Sequence, residues 1–299
     1  MPCLIDVADA AACSLGDCAA ALDAVPFDPA EPESLDYAVL WLRRLGNNRD
    51  FLGDLLVQSL AERHRDEMAQ AYGPQVIMLT APGASSFLRC AIWPGRDEGL
   101  LGASGNESFV YGLPHDHNFS FLTHGYFGPG YWSEFYEYDY DGVTGWAGEP
   151  VRLRHTGRHR LEPDRIMLYR AHVDVHLQLP ADSLSVSLNV MHAVPAIRWL
   201  DQYTFDVEQG TIAQNVDSGP SETFLRLAVA LGTGEALDLA ETFARSHPSD
   251  RLRVTAWDAL AARQCDAAAR DRVWAAAEAS GSRMVEMEAR TRRAALVAA

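Results

Sequence analysis

The chain has no apolar run of membrane-spanning length. A bilayer helix needs roughly 18–20 consecutive apolar residues, and no such stretch occurs among the 299 positions. Its opening segment, MPCLIDVADAAACSLGDCAAALDAV, carries acids and no Lys or Arg. It therefore lacks the positive start and unbroken apolar core of a secretory leader. The expectation is a cytoplasmic protein with no membrane segment. Positive charge is also scarce, with 25 basic against 41 acidic residues and a formal net charge of −16. That balance argues against nucleic acid or an anionic membrane as the main partner. Cysteine gives no framework either. Cys3, Cys13, Cys18, Cys90 and Cys265 are odd in number and widely spread, which points to reduced thiols rather than disulfides. Cys3, Cys13 and Cys18 fit no zinc spacing and have no histidine near them. GLLGASG lacks the Lys-Ser/Thr of a phosphate loop, and no Gly-x-Ser-x-Gly elbow is found.

What is present is an ordinary globular composition, 48% hydrophobic and 22% charged, long enough for one large domain or two modest ones. Residues 1–75 read as helical. SLDYAVLWLRRL places Leu35, Val39, Leu42 and Leu45 close to helical spacing, and a long amphipathic stretch ends before Gly73 and Pro74, with His64 on its polar part. From 76 to 217 short alternating runs are divided by Gly, Pro, Asn and Asp clusters, the pattern of a sandwich or barrel. In SLSVSLNVM, Leu184, Val186, Leu188 and Val190 alternate with Ser185, Ser187 and Asn189, so one face suits a core and the other a pocket. Residues 218–299 return to helix, with Asp250 as a candidate N-cap. Two readings stand for this last region: a HEAT-type repeat, or a plain bundle that covers the β region or joins two chains into a homodimer.

One stretch carries chemistry: LPHDHNFSFLTHGYFGPGYWSEFYEYD, residues 113–139. On a strand, positions i and i+2 share a face. His115 and His117 then present two imidazoles together while Asp116 faces away, a ready pair of ligands for a first-row metal. A third ligand has to come from elsewhere, and YRAHVDVHLQLP offers His172 and His176, both of the same parity.

Two segments resemble the cupin superfamily. LEPDRIMLYRAHVDVHLQLPADSLSVSLNVM is similar to the second cupin motif, with Pro163-Asp164 opening the unit and His176 at the histidine position. FLRCAIWPG followed by LPHDH resembles the first motif of the cysteine dioxygenase branch, and Trp93 with the glycine-rich turn at 125–130 strengthens the likeness over residues 83–192. The resemblance implies a mainly β chain, built on an antiparallel barrel of jelly-roll type between helical ends. It implies Fe(II), with Mn, Ni or Zn as alternatives, held by His115, His117 and His176. It also implies an oxygenase or oxidase that takes O₂ and a small polar metabolite, such as an amino acid or derivative.

The departures shape that expectation. Where many cupins carry a Glu after His-x-His, this chain has Ser120 and Phe121, which favours a three-histidine centre open to substrate and O₂. No cysteine stands where the branch forms its cysteine–tyrosine crosslink, so cysteine is a doubtful substrate. Arg96–Val110 intervenes as a candidate lid. Glu134 or Glu137 can reach a metal or a substrate amine. Arg89 or Arg170 can meet a substrate carboxylate. Tyr169, Gln178, Ser187 and Asn189 are candidates to orient the imidazoles. His124 and His172 are further candidates for substrate contact, whereas His155, His159, His192 and His247 read as loop, cap or packing residues. The aromatic cluster from Tyr126 to Tyr138 reads as core. Cupins also include isomerases, lyases and hydrolases without O₂ chemistry, and a non-catalytic scaffold using the helical region is the remaining alternative.

Overall fold

The computed structural model describes residues 2–63, 75–81, 85–216, 219–232 and 234–298; His64 lies outside the described residues. The chain divides into two compact units, Met1–Tyr140 with Arg152–Ile197, and Asp141–Val151 with Arg198–Ala299.

The first unit contains α1 (Leu15–Ala24), α2 (Pro32–Asn47), α3 (Phe51–Arg63) and a short α4 (Gly99–Ser104). Its strands are β1 (Cys3–Ile5), β2 (Val76–Met78), β3 (Ser86–Trp93), β4 (Phe121–Phe127), β5 (Trp132–Glu137), β6 (Arg154–Arg160), β7 (Ile166–Tyr169), β8 (Asp174–Gln178) and β9 (Ser185–His192). Six of them form an antiparallel sheet in the order β1-β7-β4-β9-β3-β2, and three form a second, β6-β5-β8.

Strand alternation sends successive side chains to opposite faces, and the larger sheet uses both. On one face Leu88, Cys90, Leu122, Ile166, Leu168, Leu188 and Val190 pack with Leu22 of α1, and with Val39, Leu42 and Leu45 of α2. On the other, Ala91, Trp93, Phe121, Met167, Tyr169 and Met191 pack with Tyr131 and with Phe135 of β5. The alternation read in β9 is therefore real: Val186, Leu188 and Val190 meet the helices, while Ser185, Ser187 and Asn189 take the opposite parity. Gly130 joins β4 to β5 at φ +76°, where a Cβ would collide with the Leu161 carbonyl; glycine alone fits there.

The second unit holds a hairpin, β10 (Tyr203–Asp206) and β11 (Thr211–Asn215), and five helices: α5 (Pro220–Leu231), α6 (Gly234–Ser246), α7 (Asp250–Ala262), α8 (Ala267–Glu278) and α9 (Arg283–Ala298). The 141–151 segment is stitched to the hairpin by Gly148 N–H to the Ile212 carbonyl (2.8 Å) and Ile212 N–H to the Glu149 carbonyl (2.9 Å). Around Leu225, Val229, Trp257, Trp274 and Val285 the helices share one core. Because α7 packs against each of the other four, the unit has a centre, unlike a stacked array in which elements meet only their neighbours. The N-cap of α7 is Ser249, whose hydroxyl accepts from Leu252 N–H. Asp250, the residue expected there, is the first helical position, where its charge still suits the helix N-terminus.

With 43% helix and 24% strand among the described residues, the chain is mixed rather than mainly β. The composition of the middle segment dominated the expectation, and the helices at both ends outweigh it. Phe135 of the three-stranded sheet packs in one cluster with Phe121, Tyr169 and Met191 of the larger sheet, and the hydrogen-bonded strand orders are those of two separate sheets. Among the described residues no helix is long and apolar enough to cross a membrane.

Candidate metal centre

β8 organises the centre. One side of it pairs with β5, in a register that sets Phe135 opposite His176. Along its other side runs the extended segment that leads into β4. Gly112 N–H donates to the Gln178 carbonyl (2.9 Å), His115 N–H to the His176 carbonyl (3.1 Å), and His176 N–H back to the His115 carbonyl (2.9 Å). His172 N–H then donates to the His117 carbonyl (2.9 Å). His115 and His117 thus lie beside a strand, held by an isolated bridge, and not within a regular strand of their own. The i, i+2 parity survives because the segment is extended.

The three imidazoles converge. One nitrogen from each of His115, His117 and His176 lies within 4.8 Å of the others, and Nε2 of His117 is 2.9 Å from Nε2 of His176. Neighbouring ligands on an ion with metal–nitrogen bonds of about 2.1 Å stand about 3 Å apart, so this pair is already at ligand spacing. Two like nitrogens this close either share one proton or turn both lone pairs toward one cation. The Nδ1 atoms of His117 and His176 are buried without a hydrogen bond. His115 differs: its Nδ1 is 2.8 Å from the Leu113 carbonyl oxygen. A carbonyl only accepts, so Nδ1 carries the proton and Nε2 keeps its lone pair for a ligand role.

Electrostatics agree with that role. Burial holds all three histidines below the ordinary imidazole pKa, well below it for His117 and His176, and their mutual repulsion adds to the effect at those two. They are neutral at pH 7, the form that binds metal. Aromatic rings wall them in. Phe119 and Phe121 lie 4.8 and 5.0 Å from His117, Tyr169 stands edge-on to His176 at 4.9 Å, and Phe135 stacks parallel to His176. The donor set fits a first-row divalent ion: three neutral nitrogen ligands, with His115 and His176 buried and His117 partly buried.

The other expected residues separate into groups. Tyr169 shares the inner face with the centre, and burial raises its hydroxyl well above the ordinary tyrosine pKa. Arg89 lies on the same parity of β3 as Ala91 and Trp93, and its charge is among the influences lowering the His117 pKa. Glu134 is not brought together with the histidines. It points to the opposite side of β5 from Phe135, with Oε2 2.9 Å from His155 Nε2 and Oε1 3.6 Å from Arg158. Glu137 pairs with Arg154 and Arg170, and Arg170 also grips Asp174 at 2.6 Å. Asn189 accepts from the Thr123 hydroxyl (2.8 Å), and Ser187 from the Trp93 indole N–H (3.0 Å). Both brace the larger sheet. His172 packs its ring on Tyr140 at 3.9 Å and is outside the three-histidine group. His124 sits on the opposite, helix-covered face, against Gly46 of α2.

One partner went unread in the sequence. Asp116 is fully buried and accepts a 2.5 Å hydrogen bond from the Tyr138 hydroxyl. The residue between the two histidines is therefore an anchor for their segment. Parity showed that it faces away from the imidazoles, but no spacing rule links it to a tyrosine two strands' length later.

No protein-family model matches the chain, and no curated protein matches it. Solved structures that are similar in part include the hydroquinone 1,2-dioxygenase of Sphingomonas sp. TTNP3 with 4-hydroxybenzoate bound. That pair shares 10% identity over 43% of this chain and 71% of that one, with a TM-score of 0.28. The DMSP lyase DddQ of Ruegeria pomeroyi DSS-3 shares 10% identity over 64% and 78% of the two chains, with a TM-score of 0.24. A sugar phosphate isomerase from a cupin superfamily, of Silicibacter pomeroyi, shares 12% over 46% and 71%, with a TM-score of 0.23. At such identities and scores the likenesses transfer neither fold nor activity to this chain.

Proposed function

We propose that the chain is a cupin-type metalloenzyme, a non-haem Fe(II) oxygenase that acts with O₂ on a small polar metabolite such as an amino acid. The observation that carries this reading is the convergence of three neutral imidazoles, two buried and one partly buried, with two Nε2 atoms 2.9 Å apart. When bound there, Fe(II) supplies a Lewis-acidic, redox-active centre whose full 2+ charge is not cancelled by its neutral ligands.

The chain's own residues do the rest. His115 is held in one tautomer by the Leu113 carbonyl. Phe119 and Phe121 pack on His117 and Phe135 on His176, an apolar wall that strengthens charge interactions inside the site. Tyr169 keeps its proton at neutral pH, so it serves as a hydrogen-bond donor and not as a base. Arg89 contributes positive charge on the same face and suits a substrate carboxylate.

The test combines metal analysis of anaerobically purified, iron-reconstituted protein with O₂ uptake across a panel of amino acids. The expected result is about one iron per chain and O₂ uptake with at least one substrate, both lost in His176→Ala. Protein that holds no metal after reconstitution overturns the reading. Turnover under nitrogen with zinc would replace the oxygenase by a metal-dependent isomerase, lyase or hydrolase.

A further inference from the structure

A capping box opens α1. The Ser14 hydroxyl accepts from Asp17 N–H at 3.1 Å, and Asp17 Oδ2 accepts from the Ser14 N–H at 3.3 Å and the Ser14 hydroxyl at 2.8 Å. Around such a box, the residue before the cap and the fourth helical residue face each other and commonly form an apolar staple. With Ser14 as the cap, those two positions are Cys13 and Cys18. Both thiols approach one acceptor, the Trp41 carbonyl of α2, with Sγ–O distances of 3.9 Å for Cys13 and 3.6 Å for Cys18. The backbone of Cys13 is fixed from both sides: its N–H donates to the Arg44 carbonyl (3.2 Å), and its own carbonyl accepts from Asn48 Nδ2 (2.9 Å).

The two thiols differ in access. Cys18 is fully buried. Cys13 is half-buried and lines an open pocket of about 480 Å³, with Asp17, Tyr37, Trp41 and Arg44 around it. The neighbouring Cys18 thiol, and more weakly Arg44, hold Cys13 below the ordinary cysteine pKa against burial and Asp17; the Cys13 neighbour and burial push Cys18 up. A reachable sulfur of increased thiolate character beside a sheltered thiol is the arrangement of an attacking and a resolving cysteine.

We propose that Cys13 and Cys18 form a redox-active dithiol, a site at which a small hydroperoxide is reduced while the two thiols become a disulfide. The Cys13 thiolate attacks the peroxide, an S–O bond forms and the O–O bond breaks. The departing alkoxide takes up the proton that Cys13 released on forming its thiolate, and leaves as an alcohol, or as water when the oxidant is hydrogen peroxide. Cys18 sulfur then attacks the sulfenic sulfur of Cys13; an S–S bond forms, and hydroxide leaves as water with the Cys18 proton. Two thiols supply the two electrons, and one hydroperoxide accepts them. External dithiol reverses the step by exchange. The result is a covalent staple at the start of α1, in place of a noncovalent one.

The experiment uses the full-length reduced protein and limiting hydrogen peroxide, followed by alkylation of remaining thiols and peptide mapping. Cleavage at Asp17 separates Cys13 from Cys18 unless a disulfide joins them. The expected product is the joined Cys13–Cys18 pair, formed at least about tenfold faster than oxidation of the exposed Cys3 or Cys265. In Cys18→Ser, dimedone should trap a sulfenic acid at Cys13; in Cys13→Ser, Cys18 should stay a thiol. The proposal is overturned if Cys13 and Cys18 remain reduced after Cys3 and Cys265 have oxidised, or if Cys13 joins Cys3 instead. The map of the unmutated protein decides the matter even if a serine variant fails to fold.

Discussion

The two faces of the larger sheet bury histidine in opposite ways. On the helix-covered face His124 is wholly buried, with both ring nitrogens lacking a hydrogen bond. On the inner side His115 and His176 are buried and His117 partly so, and their nitrogens converge. Burial is the first cause of lowered basicity at all four. A depressed imidazole pKa therefore does not mark the functional site. What distinguishes the inner face is mutual orientation: His115 is fixed by the Leu113 carbonyl and the other two point Nε2 at each other. The lone histidine fills space beneath α2, whereas the three form a ligand set. Each variant below either breaks that distinction or sharpens it.

The largest effect belongs to the inner face. His176→Ala removes one of three nitrogens, and metal affinity should fall by more than about a hundredfold, since even loss of a group supporting a ligand commonly weakens binding ten- to a hundredfold. His124→Leu should leave the metal content unchanged. Calorimetric titration with Fe(II) or Co(II) under nitrogen reads both. Equal losses in the two variants would erase the contrast between the faces.

Gly46→Ala comes next, because it tests how tightly the outer face closes over its histidine. In an exposed helix this exchange stabilises by about 1 kcal/mol. Here the new Cβ would collide with the His124 imidazole, and overpacking typically costs about 1–3 kcal/mol. The expected outcome is a lower denaturation midpoint, largely restored in the Gly46→Ala/His124→Ala pair, whose coupling a double-mutant cycle measures. Additive effects would show that the imidazole does not fill the space under α2.

These contrasts were only partly legible in the sequence. The pairing of His115 with His117 followed from strand parity, and His176 from a resemblance to a second motif. The alternation in β9 correctly divided Val186, Leu188 and Val190 from Ser185, Ser187 and Asn189. Less could be read where tertiary contacts decide. Glu134 has the same residue type as a ligand, but its position on β5 turns it toward His155 and Arg158. Arg170 looked available for a substrate, yet Asp174 and Glu137 engage it. Gly46 resembles any weak point in a helix until His124, from a distant strand, is placed against it. The staple at Cys13 and Cys18 depends on the capping box of Ser14 and Asp17, a local pattern that the spacing of the cysteines alone does not show.

A pH series sharpens the comparison further. His124 has its pKa lowered to about 4, first by burial and then by Arg43, with Arg49 acting the same way and Asp164 opposing them. The unfolded chain, with an imidazole pKa near 6.5, binds the proton more readily than the folded one between those two values. The associated stability is therefore fully present above pH 6.5 and is lost as pH falls toward 4, amounting to about 2 kcal/mol by pH 5. His124→Leu should flatten that part of the curve. At pH 7 it should be nearly neutral, since it replaces two buried polar atoms that lack hydrogen bonds with a side chain that needs none. Urea midpoints of metal-free protein at pH 7 and pH 5 measure the difference between wild type and variant, and the inner histidines cancel because both proteins carry them. An unchanged acid slope in His124→Leu would remove His124 as the titrating group.

Tyr138→Phe should give the smallest effect, and it tests whether convergence on the inner face is imposed by the segment's anchor. Asp116 lies between His115 and His117, and the Tyr138 hydroxyl donates to its buried carboxylate at 2.5 Å. Removing that donor leaves the other contacts of the segment in place, including both backbone bonds between His115 and His176. The expected loss is about 1.5 kcal/mol of stability, the lower end for a hydrogen bond to a charged group. A looser segment widens the spread of its two imidazoles, so metal affinity should fall by up to about tenfold. The same stability loss placed on the outer face, by truncating Leu42 to Val, should leave metal affinity unchanged. If Tyr138→Phe lowers stability and spares the metal, backbone pairing with β8 alone sets the ligand geometry. If both fall together only in the inner-face variant, the carboxylate between the two histidines is part of what separates a metal centre from a buried histidine.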